Sequence, residues 1–243
     1  MSVTQYIAQY VDALAPGVPF AYADLRLGLH QGGAAAKALE RLVARNELKR
    51  IAKGIYCVPG RGAFQPSGPT DEQYVETLLR KNDKQVAYVT GMRLMAKLGF
   101  VEASDSYPWV LAMYRRRGPI IHARLTIQAV SSWVPIDESK IPVLELLDAV
   151  KMFSKLAGQQ PKQCMQHLFE LCAELSDDQR FLLVETASHY PASTCAFLGA
   201  LISYWNWELD LTPLKARVNP TSRYRCALSH SALPTSAEWR LFN

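Results

Sequence analysis

The run TQYIAQYVDAL at residues 4–14 places Tyr6 or Ile7, Tyr10, Val11 and Leu14 on one helical face, and Pro16-Gly17 ends that helix. Residues 18–20 are short and extended. Residues 22–27 read as a second short helix with Leu25 and Leu27 apolar, and residues 28–33 as a glycine-rich turn. AAAKALERLVAR, residues 34–45, has high helix propensity throughout. Leu39, Leu42 and Val43 form its expected buried stripe, while Lys37, Arg41 and Arg45 fall at i, i+4 and i+8 on the other side. Two short apolar runs, LKRI and IYCV, then flank a Lys53-Gly54 turn and read as a β-hairpin. Three helices followed by a hairpin in the first 63 residues is the pattern of a winged helix-turn-helix.

Residues 60–70, GRGAFQPSGPT, are rich in Gly and Pro and mark the expected domain boundary. Thr70 then caps the helix DEQYVETLLRK, whose first turn is acidic. VAYVTG reads as a strand or helix entry, residues 92–98 as a helix stopped by Gly99, and WVLAMY, Ile120-Ile121 and LTIQAV as strands. From Ile141 to about residue 207 the pattern predicts three or four amphipathic helices. Residues 212–243 revert to loop and short strand. The expectation is an α+β chain: a winged helix-turn-helix on residues 1–63 and a larger, helix-rich α/β domain on 64–243.

Charge changes this picture. The chain of 243 residues has a formal net charge of +5, and residues 1–63 hold eight basic side chains against four acidic ones. That asymmetry points to a polyanion-binding N-terminal module. In such a module the third helix enters the DNA major groove and the hairpin lies along the flanking backbone. The candidate DNA contacts are therefore Gln31, Lys37, Arg41, Arg45, Lys49, Arg50 and Lys53. Lys37 and Arg41 face the base edges, Lys49, Arg50 and Lys53 suit phosphates, and Ala34 and Ala38 are small enough for close approach. Arg115, Arg116 and Arg117 form a basic turn that offers additional contacts. The competing reading is that these cations simply solvate outer faces, and winged helices also serve as protein-binding modules. Nine acidic residues against four basic ones in 141–211 make that block unsuited to phosphates. The basic tail 212–243 is expected to fold back over it, with Arg223 and Arg225 reaching carboxylates.

Other chemistry is thin. No apolar run reaches the roughly 18 residues of a membrane span, and the N-terminus lacks a signal-peptide core, so a cytoplasmic setting is expected. The five cysteines include no CxxC pair, so neither a disulfide framework nor a zinc ribbon is indicated. Cys164, His167 and Cys172 share one predicted helix without a fourth ligand and read as buried thiols beside a surface histidine. Asp137 and Glu138-Ser139-Lys140 crowd into one loop, which does not make the separated carboxylates of a nuclease. No GxSxG, Walker A, HExxH or GxGxxG occurs, so no catalytic residue, metal or cofactor is assigned.

The hairpin LKRIAKGIYCVP resembles the wing of the AbiEi-type antitoxins, where a basic strand, an Arg/Lys-Gly turn, an aromatic and a Pro follow the third helix. Tyr88-Val89-Thr90-Gly91, Leu94 and Leu98-Gly99 are similar to that family's motif after the DNA-binding domain. Asn219-Pro220-Thr221-Ser222-Arg223-Tyr224 resembles its C-terminal Asn-Pro-x-x-Arg-Tyr motif, with Leu233-Pro234 following. Ala21 departs from the pattern, because the second helix of such modules often starts with a Ser or Thr cap; that helix start is expected to fray.

The resemblance implies an antitoxin of a bacterial type IV toxin–antitoxin pair, carried on mobile elements and linked to phage defence. Such a protein binds inverted repeats in operator DNA and represses its own operon. Its C-terminal domain counteracts a nucleotidyltransferase-like toxin without needing a stable complex. Two other functions stay open: a plain winged-helix regulator with a ligand-sensing or oligomerising C-terminal domain, and a DNA-targeted nuclease or transferase.

Overall fold

The structure is a computed structural model that describes residues 2–60, 68–82, 84–114, 118–158 and 160–243. The basic turn Arg115-Arg116-Arg117 and most of the Gly/Pro-rich boundary stretch, residues 61–67, lie outside the described residues.

The chain is α+β. Helix α1 (Val3–Asp12) starts in a capping box, in which the Ser2 hydroxyl accepts from Gln5 N–H and the Gln5 side chain accepts from Ser2 N–H. Strand β1 (Pro19–Ala21) follows. The expected second helix is reduced to one 3₁₀ turn, Tyr22–Leu25. Ala21 has no side-chain acceptor to cap it, and the Asp24 carboxylate takes the Ala21 N–H instead at 2.7 Å. Arg26 then turns left-handed (φ 48°) and ends the element.

A second 3₁₀ turn, Leu29–Gln31, leads into α2 (Gly32–Ala44). Its buried face is Ala35, Ala38, Leu39 and Leu42, with Val43 only half-buried. The hairpin is β2 (Lys49–Ala52) and β3 (Ile55–Cys57), closed at Gly54 (φ 75°). The three strands form an antiparallel sheet in the order β1-β3-β2, with Phe20 opposite Tyr56 and Arg50 opposite Tyr56 on the other side. Ile7, Val11, Phe20, Leu25, Ala35, Leu39, Leu42, Leu48 and Tyr56 make one apolar core beneath these elements.

Thr70 caps α3 (Asp71–Leu79) through a second capping box. A small hairpin, β4 (Arg80–Lys81) and β5 (Lys84–Gln85), comes next, then β6 (Ala87–Thr90) and α4 (Met92–Lys97). Strands β7 (Trp109–Met113), β8 (Gly118–His122) and β9 (Leu125–Ser131) complete a four-stranded sheet in the order β6-β7-β9-β8. Along β9, Leu125, Ile127 and Ala129 are buried while Thr126 and Gln128 are exposed, the period-two pattern of a half-buried strand.

The helical region is α5 (Ile141–Leu156), α6 (Pro161–Ala173), α7 (Asp177–Ala187) and α8 (Ala192–Trp205). The expectation of amphipathic helices fails for α8. Every residue from Thr194 to Ile202 is buried, so α8 is a core helix wrapped on all sides. The tail forms α9 (Thr212–Lys215), β10 (Tyr224–Arg225) and β11 (Leu241–Phe242), with β10 and β11 paired in parallel.

Residue contacts divide the chain into two compact units, Met1–Tyr88 with Pro119–Ile127, and Val89–Gly118 with Gln128–Asn243. The first unit therefore extends beyond residue 63: α3 packs on β1, and the Tyr74 ring stacks on His122 at 4.2 Å.

In the second unit the tail is integral, as expected, but the fastening differs. Trp239 and Leu233 are fully buried, the Trp239 indole N–H donates to Ser203 Oγ at 3.1 Å, and the Thr235 hydroxyl donates to the Ala200 carbonyl at 2.7 Å. Arg223 lies over the Phe242 ring at 5.0 Å rather than on a carboxylate. Burial of aromatic surface stabilises more than an exposed ion pair would, which is why apolar residues fasten this segment.

Candidate nucleic-acid interface

The candidate contacts sit on α2 and the hairpin, and two small devices fix these elements together. Tyr22 N–H donates to the Gly54 carbonyl at the hairpin turn (2.6 Å), and its hydroxyl donates to the Gly32 carbonyl at the start of α2 (3.3 Å). Gly17 N–H donates to the Val58 carbonyl at 2.8 Å, holding the far end of β3. Tyr22 is a positioning residue that sequence reasoning missed. Its only sequence signal is an aromatic ahead of a glycine-rich turn.

Lys37 and Arg41 are exposed on α2, and Arg50 and Lys53 are exposed on the hairpin. None of these four side chains has a hydrogen-bond or ion-pair partner among the described residues. Their charges are therefore available to an anionic ligand. Arg45 is exposed as well but lies 2.9 Å from the Glu47 carboxylate, so its charge is partly spent within the protein. Gln31 uses its side-chain carbonyl to accept from Gly28 N–H (3.0 Å) and so closes the 3₁₀ turn before α2. Lys49 is exposed at the start of β2, opposite Cys57 in register. Burial pushes the Cys57 thiol up, and the nearby Lys49 charge opposes that shift.

The two small residues expected to allow close approach part company. Ala34 is exposed, but Ala38 is in the core beside Leu39 and cannot meet a ligand. The helical phase explains it: Ala38 follows Ala35 by three residues and precedes Leu42 by four, which puts it on the buried stripe.

The second unit holds the other motifs. Thr90 Oγ1 donates to the buried Asp148 carboxylate at 2.5 Å, and Lys151 Nζ meets the same carboxylate at 3.0 Å. Lys97 Nζ pairs with Glu145 on α5 at 2.6 Å. Gly91 (φ 72°) leaves room for Val110, whose Cγ2 would lie 3.2 Å from an added Cβ. Asn219 Oδ1 accepts from both the N–H and hydroxyl of Thr221, and Asn219 N–H donates to the Tyr224 hydroxyl. Tyr224 N–H in turn donates to the Arg240 carbonyl. The Thr-Gly and Asn-Pro motifs thus act here as structural joints.

All five cysteines are free thiols. Burial pushes Cys164 up to about 11 and Cys172 up to about 12, so both stay protonated at neutral pH. The His167 ring lies 2.7 Å, Nε2 to oxygen, from the Leu98 carbonyl. Among the described residues no group of three or more His, Cys, Asp and Glu could hold a metal ion, and no helix is long and apolar enough to cross a membrane.

No protein-family model matches the chain, and no curated protein matches it. Among solved structures it is similar to the crystal structure of the RV2827C protein from Mycobacterium tuberculosis, at 15% sequence identity and a TM-score of 0.49, over 98% of this chain and 90% of that one.

Proposed function

We propose that the chain is a DNA-binding repressor whose N-terminal unit works as a winged helix-turn-helix. The observation that carries this reading is the set of four exposed cations whose side chains have no partner among the described residues, Lys37 and Arg41 on α2 and Arg50 and Lys53 on the adjoining hairpin. Helix α2 is the recognition helix. Arg41 reads a base edge and Arg50 and Lys53 neutralise flanking phosphates. Arg45 contributes less because Glu47 holds it, and Gln31 shapes the turn rather than reading a base.

The ordered motifs of hairpin, Thr90-Gly91 and Asn219–Tyr224 support a further reading, that the repressor is an antitoxin of the AbiEi type acting from the cytoplasm on its own operon and against a nucleotidyltransferase-like toxin. The test is selection of binding sites from a random duplex library by the full chain, followed by growth rescue against the product of a neighbouring nucleotidyltransferase gene. Recovery of an inverted repeat that also lies upstream of the gene supports the repressor. Enrichment of no sequence over the starting library refutes it, and a repressor that never rescues growth refutes the antitoxin.

A further inference from the structure

The second unit carries a cleft of a different character. Phe169 on α6, Trp205 at the end of α8 and Trp207 just beyond it form an aromatic cluster, with ring centroids 5.4 Å (Phe169–Trp205), 5.2 Å (Trp205–Trp207) and 6.3 Å (Phe169–Trp207) apart. Beside Trp207 opens a cleft of about 430 Å3 whose apolar walls are Phe181, Trp207 and Leu209. Phe181 is 58% exposed, a large apolar ring left in water on a helix surface.

The cleft has a sign. Asp177 and Glu208 stand at its rim, and Asp178 and Asp210 flank them, all exposed. Thr212 donates through its backbone N–H to Asp210, and hydrogen bonding from Thr212 holds that carboxyl below its ordinary value. The basic residue lining the cleft is Arg180, and it is already engaged. It stacks over the Trp207 ring at 4.6 Å, donates to the Ala173 carbonyl at 2.8 Å and lies 3.4 Å from Asp177.

We propose that this cleft docks a cationic polypeptide segment of another protein, one in which an Arg or Lys stands beside an apolar side chain. The apolar side chain covers Phe181 and the exposed edge of Trp207. The cation's methylene stem follows the same wall, and its head lies between Asp177 and Glu208. Charge complementarity selects this occupant: a nucleic acid would bring phosphates against the rim carboxylates, and a neutral apolar segment would leave Glu208 without a counter-charge among the described residues. This inference does not depend on DNA binding by the first unit.

The test uses the full chain and three labelled peptides of equal length that alternate Leu with Arg, Gln or Glu, followed by anisotropy at low salt. The Arg peptide is expected to bind. Glu208→Lys combined with Asp177→Asn should weaken it by about tenfold, since two exposed pairings are lost and the Lys adds repulsion. Phe181→Ser should weaken it by about fivefold through lost apolar contact. Glu208→Lys alone, which leaves the first turn of α7 intact, should bind the Glu peptide better than the parent does. Equal binding of the Arg and Gln peptides, or unchanged Arg-peptide affinity in the rim variants, overturns the proposal. So does a dimer of the protein alone that Phe181→Ser dissociates, because a second copy would then fill the cleft.

Discussion

If the cations of the first unit meet DNA phosphates, the salt dependence of binding is fixed by how many of them are free. Lys37, Arg41, Arg50 and Lys53 are the exposed cations of the candidate site whose side chains have no partner among the described residues. On a random-sequence duplex, where Lys37 and Arg41 have no cognate base edge and all four cations meet phosphates, log K should fall against log salt with a slope of about −3.6 per protomer, so that raising salt from about 50 to about 200 mM costs about 150-fold in affinity. Two protomers on an inverted repeat would double the slope to about −7. Lys53→Ala should make the slope shallower by about 0.9 per protomer on every duplex. Arg45→Ala should change it less, because Glu47 lies 2.9 Å from Arg45. Glu47→Gln should release Arg45 and steepen the slope by up to about 0.9. The assay is fluorescence anisotropy of a labelled random-sequence duplex titrated with the full chain at several salt concentrations. A slope of about −1 or shallower, or a Lys53→Ala slope identical to the parent's, would refute the assignment of these cations to phosphates.

Two further outcomes concern stability. A Cβ at Gly199 would overlap the ring carbons of the buried Trp239, so Gly199→Ala should lower stability by about 1–3 kcal/mol and combine non-additively with Trp239→Leu; calorimetric melts of the four-member cycle check this, and additive changes would show that the ring is not packed on α8. The Cys172 thiol is raised by burial from 9.0 to about 12, so its contribution is intact below pH 9 and is lost as pH rises from 9 toward 12, where the unfolded chain ionises and the folded one does not. The melting temperature should fall across that window and fall less in Cys172→Ala than in the parent, and an equal fall in both would contradict it.

Local signals were the legible ones. The strong propensity of residues 34–45 gives α2 to within two residues, and the Lys53-Gly54 turn gives the hairpin and its strands. The weak cap at Ala21 signalled trouble, and the element there shrinks to one turn. What was not legible is non-local. Residues 119–127 join the first compact unit across a long separation in sequence, and no periodicity in either segment records that partnership. The tail is held by Leu228, Leu233, Trp239 and Leu241, which are buried but follow no helical or strand period. Reading its arginines as the fastening therefore picked the conspicuous residues and missed the effective ones. At the candidate site the exposed cations were legible as charges, whereas the pairing of Arg45 with Glu47, the capping by Gln31 and the burial of Ala38 needed three dimensions.

The cations on the hairpin have a physical role of their own that must be separated from the proposed DNA binding. Strand β2 is an edge of its sheet, and charged side chains on an edge strand discourage pairing with another chain. Edge protection is indifferent to the sign of the charge, whereas phosphate contact is not. Arg50→Glu with Lys53→Glu keeps a charge on β2 and a charge in the turn beside it, so the protein should stay as monodisperse and as thermally stable as the parent. Affinity for any duplex should fall by far more than alanine substitution at the same two positions produces, because two contacts become two repulsions. Replacing both by Gln inverts the comparison: self-association should rise if the edge role dominates, while DNA affinity should settle between the parent and the Glu pair. The measurements are light scattering over time and duplex titration of the parent and of the Glu, Gln and Ala pairs. If the Glu pair binds DNA as tightly as the Gln pair, these two residues guard an edge and touch no phosphate, and the interface shrinks to Lys37 and Arg41 on α2.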